Sequence, residues 1–249
     1  MSVRQVLVHR DKEVMAEAAA ARLVTAVVDA QAARGSASVV LTGGRNGNGL
    51  LAALGRSAAR DAVDWSRVDL WWGDERFLPA GDPERNETQA REALLDAVPL
   101  DPARVHVMAP SDGVHGEDLD AAAAAYAAEL DAAAGSGRSV PEFDVAMFGV
   151  GPDTHIASLF PGLAGVKETE RTVVGVTDSP KPPPRRISFT LPAVGAAREV
   201  WLLAAGEDKA EAVATALAAT DPDRAPASGA RGRERTLWLL DEDAASRLS

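Results

Sequence analysis

The chain of 249 residues contains no cysteine, which excludes disulfide bonds, thiolate zinc sites and a cysteine nucleophile. It also has no apolar run approaching the ~20 residues of a membrane span. The first ten residues, MSVRQVLVHR, lack the long apolar core and small-residue cleavage site of a secretory signal. We therefore expect a cytoplasmic protein with no membrane partner.

Positive charge is scarce: 26 lysines and arginines stand against 37 acidic residues, so the formal net charge is −11. Phosphate backbones are bound by clustered Lys and Arg, and we therefore expect no nucleic-acid partner. Three of the four histidines, His9, His106 and His115, have no metal-ligand spacing to one another or to carboxylates, so we expect no metal site. Any anion site must be local and built from a few cations and backbone N–H groups.

Apolar residues alternate between strand-like and helix-like periods along the chain. Strands separated by helices of ten or more residues indicate βαβ units, hence an α/β, modified Rossmann-like fold whose mostly parallel sheet is flanked by helices. Three strands near residues 172–204 are joined by short turns, which favours a partly antiparallel portion there. Without a repeat or long linker, we expect a single domain spanning 1–249. The predicted strands cover 3–9, 38–42, 68–72, a short stretch at 105–107, a strand from Phe143, 172–176, 186–191, 200–204 and 236–240, and the predicted helices cover about 12–33, a stretch through Leu50–Leu54, 86–97, 117–134 and 207–219.

The segment from Phe143 to Gly162 places a histidine where open α/β sheets bind ligands, at the carboxyl end of a buried strand. The strand runs into the turn Gly149-Val-Gly-Pro152, and Asp153 and His155 follow. An unperturbed histidine titrates near pH 6.5 and suits proton transfer. A lone loop histidine is usually unremarkable, but the strand, glycine turn, acid and histidine coincide here. This pattern favours a general base.

A second candidate site is the glycine-rich stretch from Thr42 to Gly49, between a predicted strand and a helix. Backbone N–H groups in such a turn, together with a helix N-terminus, can bind an anion. The alternative is a plain glycine turn. The stretch Gly47-x-Gly49-x-x-Ala52 also matches a dinucleotide fingerprint, but its first glycine comes five residues after Thr42 instead of directly off the strand. We therefore expect no cofactor.

Charged residues follow a third apolar strand. Asp74, Glu75 and Arg76 come directly after it, and Arg85-Asn86 come later. These residues can be interpreted in two ways. They form either a solvated loop with a surface ion pair, worth ~0–1 kcal/mol, or a set of ligands at the carboxyl edge of the sheet. In the second case Arg76 holds substrate charge, while Asp74 and Glu75 hold arginines or substrate hydroxyls.

Two later segments carry further cations. The run Lys181-Pro-Pro-Pro-Arg-Arg186 is read as a stiff loop that presents arginines, with recognition by a polyproline-binding module as the alternative. Lys209 lies at a predicted helix start, where the ordinary role of a lysine is that of a solvated surface residue.

Taken in order, these motifs resemble those of the 6-phosphogluconolactonases, which share a superfamily with the glucosamine-6-phosphate deaminases. The family signature Gly-x-Gly-x-Asp-Gly-His-x-Ala-Ser-Leu-Phe-Pro is matched from Gly149 to Pro161, except that Thr154 replaces the glycine before the histidine. A Gly-Gly phosphate loop, a Gly-Asp-Glu-Arg-x-x-Pro motif, a proline-rich run and a Gly-x-x-Lys-Ala segment all have counterparts. The proline-rich run and the alanine-rich composition are similar to the actinobacterial type.

The resemblance implies hydrolysis of 6-phospho-D-glucono-1,5-lactone to 6-phospho-D-gluconate, in the oxidative branch of the pentose phosphate pathway, by a monomer that needs neither metal nor cofactor. It implies that His155 activates water as a general base, with Asp153 or Asp74 orienting the imidazole. The substrate and phosphate contacts that it implies are Gly43, Gly44, Arg45, Arg76, Arg186 and Lys209, with Arg45 replacing the family's usual hydroxyl.

Two other functions are compatible with parts of the pattern. A sugar-phosphate deaminase or isomerase of the same superfamily would carry a catalytic glutamate five residues after the histidine, and Phe160 stands there. A non-catalytic sugar-phosphate sensor would keep the phosphate loop but would need no base, and His155 argues against it.

Overall fold

The apolar strand segments of the sequence form a parallel sheet in the computed structural model, which describes residues 3–248. Helices alternate with the strands, and several single turns of 3-10 helix connect them. The strands are β1 (Val3–His9), β2 (Ala37–Leu41), β3 (Val68–Trp72), β4 (Asp74–Arg76), β5 (Val145–Gly149), β6 (Val173–Val176), β7 (Arg186–Phe189), β8 (Glu199–Ala204) and β9 (Arg235–Asp241). The helices are α1 (Lys12–Arg34), α2 (Gly44–Arg56), α3 (Asn86–Ala93), α4 (Leu119–Ala133), α5 (Ala164–Lys167), α6 (Leu191–Val194), α7 (Ala210–Ala218) and α8 (Glu242–Ala245).

The main sheet has the strand order β1-β9-β8-β5-β2-β3, and its paired strands are all parallel. Alternate residues of its central strands enter two separate cores. In β5, for example, Val145 and Met147 pack with α1, α2 and α3, whereas Ala146 and Phe148 pack with α4 and α7. The predicted mostly parallel sheet flanked by helices is therefore confirmed.

Strand order reverses direction between β2 and β5, because the chain moves from β2 outward to β3 and then returns to the other side of β2 at β5. Loops after the two strands diverge at such a point and leave a crevice at the carboxyl edge of the sheet. A hydrogen bond from Gly149 N to Thr42 Oγ1, 3.2 Å long, joins the two strand ends across this point. The fold thus places a crevice between the two glycine-rich segments of the sequence.

A second, antiparallel sheet has the order β4-β7-β6. The antiparallel portion predicted near residues 172–204 is confirmed for β6 and β7. The third strand of that region, β8, lies in the parallel sheet, because α6 carries the chain from β7 back to the main sheet beside β5. Strand β4 was not predicted; its polar residues pair through their backbones with β7, Asp74 opposite Ser188.

The boundaries of several elements differ from the prediction. The stretch Thr42–Gly49 is not a turn throughout, because α2 begins at Gly44 and includes Gly47 and Gly49. Glycine at position 47 is required by close packing, since a Cβ there would lie 2.2 Å from the carbonyl oxygen of Thr42. The strand predicted at 105–107 is reduced to an isolated bridge between Val105 and Leu70.

The long first helix follows the capping rules. Asp11 caps its N-terminus by accepting a hydrogen bond from Val14 N at 2.7 Å, and Gly35, with φ of 82°, ends it in the left-handed conformation. Within residues 3–248, none of the helices has the length and apolarity needed to cross a membrane.

Candidate active site

A cavity opens at the carboxyl edge of the main sheet, where β2 and β5 end. Eight of the nine predicted site residues line it, and the ninth, Asp153, hydrogen-bonds to one of them. Four polar residues that also line the cavity were not among the predicted site residues: Thr42, Asn46, Asn86 and Lys181. The predicted residues on the cavity wall are Gly43, Gly44, Arg45, Asp74, Arg76, His155, Arg186 and Lys209.

His155 and Asp153 form a hydrogen-bonded pair in the turn after β5. The imidazole Nδ1 contacts the Asp153 carboxylate, and the ring is largely buried, with 14% of the side chain exposed. Burial alone would raise the pKa of Asp153, but the hydrogen bond and charge of His155, together with Lys181, hold that pKa far below its usual range. The carboxylate is therefore ionised, and Asp153 rather than Asp74 contacts the imidazole.

Gly151 allows this pair to sit against the backbone. A Cβ at position 151 would lie 2.0 Å from the imidazole Nδ1 and 2.5 Å from the Asp153 carboxylate. The glycine of the motif is thus needed for the close approach of the side chains to the turn. Among the residues that the structure describes, none hydrogen-bonds to the other ring nitrogen, Nε2.

Thr154, between the two members of the pair, has φ of 69°. This left-handed conformation favours glycine and is strained for a β-branched residue. The strain is held by hydrogen bonds on both sides of the peptide: Thr154 N donates to Gly151 O at 2.9 Å, and Ala227 N donates to Thr154 O at 3.0 Å. The turn keeps its geometry although the residue is not the one that this conformation prefers.

Asp74 lies buried at the cavity wall within a polar network. Its carboxylate accepts a 2.8 Å hydrogen bond from Ser158 Oγ and a longer one, 3.4 Å, from Asn86 Nδ2, and Arg186 Nη1 lies 4.0 Å away. Asn86 Nδ2 also donates to the main-chain oxygen of Asp74 at 2.8 Å. The solvated-loop alternative for this segment is therefore wrong.

Glu75 is buried and holds the start of α3. Its carboxylate accepts hydrogen bonds from the backbone N–H groups of Arg76, Asn86 and Glu87, and Arg85 lies 3.8 Å away. Burial raises the pKa of Glu75 to about 7, against the opposing effects of Arg85 and the N–H donors. Glu75 holds an arginine, as expected, but its task is to join β4 to α3 rather than to bind a ligand.

One end of the cavity is rich in positive charge. Gly43 and Gly44 open α2, whose N-cap has no side-chain partner among the described residues, so its first N–H groups are available to an anion. Arg45 Nη2 and Lys209 Nζ each lie 3.6 Å from the same carboxylate oxygen of Asp208. Burial lowers the pKa of Lys209, with Asp208 opposing this effect, and only 13% of its side chain is exposed. Lys209 is not the solvated lysine of the alternative interpretation.

The two other predicted phosphate ligands are already engaged with the backbone. Arg186 donates to the carbonyl oxygens of Lys181, Pro182 and Pro183 at 3.1–3.2 Å, and Arg76 donates to the carbonyl oxygen of Glu84. Arg186 is also 5% exposed. Both line the cavity, yet much of their hydrogen-bonding capacity shapes the loops around it.

Two further side chains surround His155. Lys181 Nζ lies 3.3 Å from the imidazole Nδ1 and 3.5 Å from the Asp153 carboxylate. Phe160, buried, packs its ring 4.6 Å from the imidazole centroid. In the sequence, Lys181 is only the first residue of a proline-rich run. No local signal shows that this run contacts His155, which lies 26 residues earlier in the chain.

The arrangement combines a histidine fixed by a carboxylate with a cationic end of the same cavity. A histidine fixed by a carboxylate can take a proton from water and return it to a leaving group. Across residues 3–248, no cluster of three or more His, Cys, Asp or Glu side chains is arranged to hold a metal ion.

A family model described as glucosamine-6-phosphate isomerases/6-phosphogluconolactonase matches residues 10–238. The chain belongs to this family. Within the glucosamine-6-phosphate isomerase/6-phosphogluconolactonase family, it is 73% identical over 246 residues to the 6-phosphogluconolactonase of Streptomyces coelicolor, covering 98% of this chain and 94% of that protein. It is 55% identical to the 6-phosphogluconolactonase of Mycobacterium tuberculosis, covering 96% of each chain. The predicted resemblance to the actinobacterial type is confirmed.

Solved structures in this family have the same fold. The 6-phosphogluconolactonase from Leishmania guyanensis superposes with a TM-score of 0.83, at 27% identity and with 99% of each chain covered. A monomeric glucosamine-6-phosphate deaminase superposes with a TM-score of 0.80, at 19% identity, covering 98% of this chain and 99% of the deaminase. Because lactonase and deaminase share the fold, side chains must separate the two activities.

Proposed function

We propose that the protein is a 6-phosphogluconolactonase, which hydrolyses 6-phospho-D-glucono-1,5-lactone to 6-phospho-D-gluconate in the oxidative branch of the pentose phosphate pathway. The observation that carries the proposal is the pair of His155 and ionised Asp153 in a cavity whose other end is cationic. The high identity to named lactonases over nearly the full chain supports it.

In the proposed mechanism, Nδ1–H of His155 donates to Asp153, which leaves Nε2 unprotonated and able to accept a proton from the attacking water. Nε2 takes a proton as the water oxygen attacks C1, and the electron pair of the carbonyl bond moves onto its oxygen. When the tetrahedral intermediate collapses, the bond from C1 to the ring oxygen breaks and His155 returns the proton to that oxygen. The product acid then loses its proton to solvent. A lactone is an activated ester, so the step needs no covalent nucleophile.

The phosphate of the substrate is assigned to the opposite end, at the start of α2. Gly43 and Gly44 offer backbone N–H groups there, and Arg45 and Lys209 offer charge. A phosphate dianion would take over the two cations that now share the single carboxylate of Asp208.

The deaminase alternative requires a carboxylate where Phe160 stands. An apolar ring cannot transfer protons, and this ring instead packs against the imidazole. Asp74, the other acid on the cavity wall, is engaged with Ser158 and Asn86. The side chains therefore favour lactone hydrolysis.

The test is the rate of lactone hydrolysis by the purified protein, with and without a chelator, after subtraction of spontaneous hydrolysis. His155→Asn should reduce the rate by at least ~10²-fold. The matched control is His115→Asn, in a loop that does not line the cavity, which should keep the wild-type rate. Near-normal turnover by His155→Asn would remove the histidine from the mechanism.

A further inference from the structure

Attack of water on a lactone carbonyl places negative charge on the carbonyl oxygen, and a fixed donor at that oxygen lowers the barrier most effectively. The backbone-bound arginines and the cations around Asp208 are engaged elsewhere in the cavity. Lys181 is the cation that lies beside His155, with Nζ 3.3 Å from the imidazole Nδ1.

The ammonium group of Lys181 has donors to spare. It carries three N–H groups, and the Asp153 carboxylate, 3.5 Å away, engages one of them. The side chain is 38% exposed and lines the cavity, so part of the ammonium group is accessible to a ligand there. Lys181 and His155 line the same cavity, so a lactone whose C1 approaches the imidazole also approaches this ammonium group.

The backbone of Lys181 is held in place from two directions. Ser179 Oγ accepts a hydrogen bond from Lys181 N at 3.2 Å and donates to Lys181 O at 2.9 Å. Arg186 Nη2 donates to the same carbonyl oxygen at 3.2 Å and to that of Pro182 at 3.1 Å. This support fixes the backbone from which the Lys181 side chain extends, and a fixed starting point favours the preorganisation that electrostatic stabilisation of a transition state requires.

We propose that Lys181 is the catalytic residue that stabilises the oxyanion of the tetrahedral intermediate, and that Arg186 is a positioning residue that holds its loop. The inference rests on the proposed lactonase function. In the step, the carbonyl electron pair moves onto oxygen and is stabilised by an N–H of Lys181. It re-forms the carbonyl bond when C1 releases the ring oxygen, and Lys181 keeps its proton throughout.

The experiment compares two substrates, the phosphorylated lactone and unphosphorylated glucono-1,5-lactone. Lys181→Met should lower kcat by ~10²-fold or more on both, because the oxyanion is common to the two lactones. Lys181→Arg keeps a charged donor and should recover at least part of this loss. Lys167→Met, at a surface lysine paired with Asp223 outside the cavity, is the matched control and should keep the wild-type rates.

A second measurement separates chemistry from folding. Lys181→Ala should melt near the wild-type temperature, and added methylammonium should restore part of its rate, which a purely structural role would not allow. A loss confined to the phosphorylated lactone would make Lys181 a phosphate ligand and overturn the proposal, as would an undiminished kcat or an absence of rescue. If the wild-type protein hydrolyses neither lactone, the proposed function itself fails.

Discussion

Thr154, the strained residue between Asp153 and His155, provides the sharpest test of the local geometry. Thr154 has φ of 69° and is buried at 6% exposure, and its hydroxyl oxygen has no hydrogen-bond partner among the described residues. The left-handed conformation costs an L-residue with a Cβ about 1–2 kcal/mol and costs glycine almost nothing. Replacing Thr154 by Gly therefore removes both the strain and a buried polar group.

The comparison of Thr154→Gly with Thr154→Ala isolates the backbone contribution, because both variants lose the hydroxyl and nearly the same apolar contacts. Alanine keeps the strain, whereas glycine loses more conformational entropy on folding, a difference of roughly 0.5–1 kcal/mol. We expect the glycine variant to be more stable than the alanine variant by about 1 kcal/mol, or about 2–4 °C in Tm for a chain of this size.

Thermal unfolding of the two variants gives the answer, with Ala127 as the control position. In the interior of α4, Ala127→Gly should be destabilising by about 1 kcal/mol. The sign of the alanine-to-glycine change should therefore be opposite at positions 154 and 127. A Thr154→Ala variant as stable as Thr154→Gly would refute the left-handed geometry of the turn.

Three further predictions concern charge, specificity and burial. Burial would lower the pKa of His106, but the hydrogen bonds that its protonated ring donates to Asp69 and Glu129 outweigh this effect and raise the pKa to about 9. This folded-state pKa lies above the unfolded value of 6.5. The interaction of protonated His106 with the two carboxylates therefore stabilises the fold fully below about pH 6.5, and this contribution of about 2–3 kcal/mol is lost as pH rises through 9. Denaturant unfolding at pH 6 and pH 10 measures the difference in free energy of unfolding between wild type and His106→Gln. This difference should be smaller at pH 10, and an equal difference at both pH values would contradict the assignment. Lys209→Met should lower kcat/KM for the phosphorylated lactone by an amount equivalent to the ~1.5–3 kcal/mol of a charge-assisted hydrogen bond. It should leave kcat/KM for unphosphorylated gluconolactone unchanged. Phe160→Glu should lower Tm by burying a carboxylate without a partner, and it should release no ammonia from glucosamine 6-phosphate, so a deaminase signal would overturn our reading of that position.

The sequence predicted the parallel sheet and the cavity because both depend on local patterns. Buried parallel strands are short apolar runs, and the residues that follow them necessarily meet at one edge of the sheet. Motifs after β2, β3 and β5 could therefore be assigned to a common site before their contacts were known. The helix at about 12–33 was predicted for the same reason, since its periodicity is local and its cap, Asp11, lies next to it in sequence.

The features that the sequence did not predict depend on contacts between distant segments. Strand β4 consists of polar residues, and it is a strand only because β7, more than a hundred residues later, pairs with it. Whether Asp153 or Asp74 orients His155 depended on how two loops approach each other. Arg186 looks like a ligand for an anion in sequence, yet three backbone carbonyls of its own loop accept its hydrogen bonds.

The carboxylate of Asp208 is an internal counterion for the cationic end of the cavity. Because Arg45 and Lys209 each lie 3.6 Å from it, their charges are partly balanced without any ligand. A singly charged anion entering there gains little over this internal counterion, whereas a dianion that also reaches the N-terminus of α2 gains more. On the proposed function, Asp208 acts as an intramolecular competitor. It would favour binding of a dianion over binding of a monoanion, and it would pair with Arg45 and Lys209 again when the product leaves.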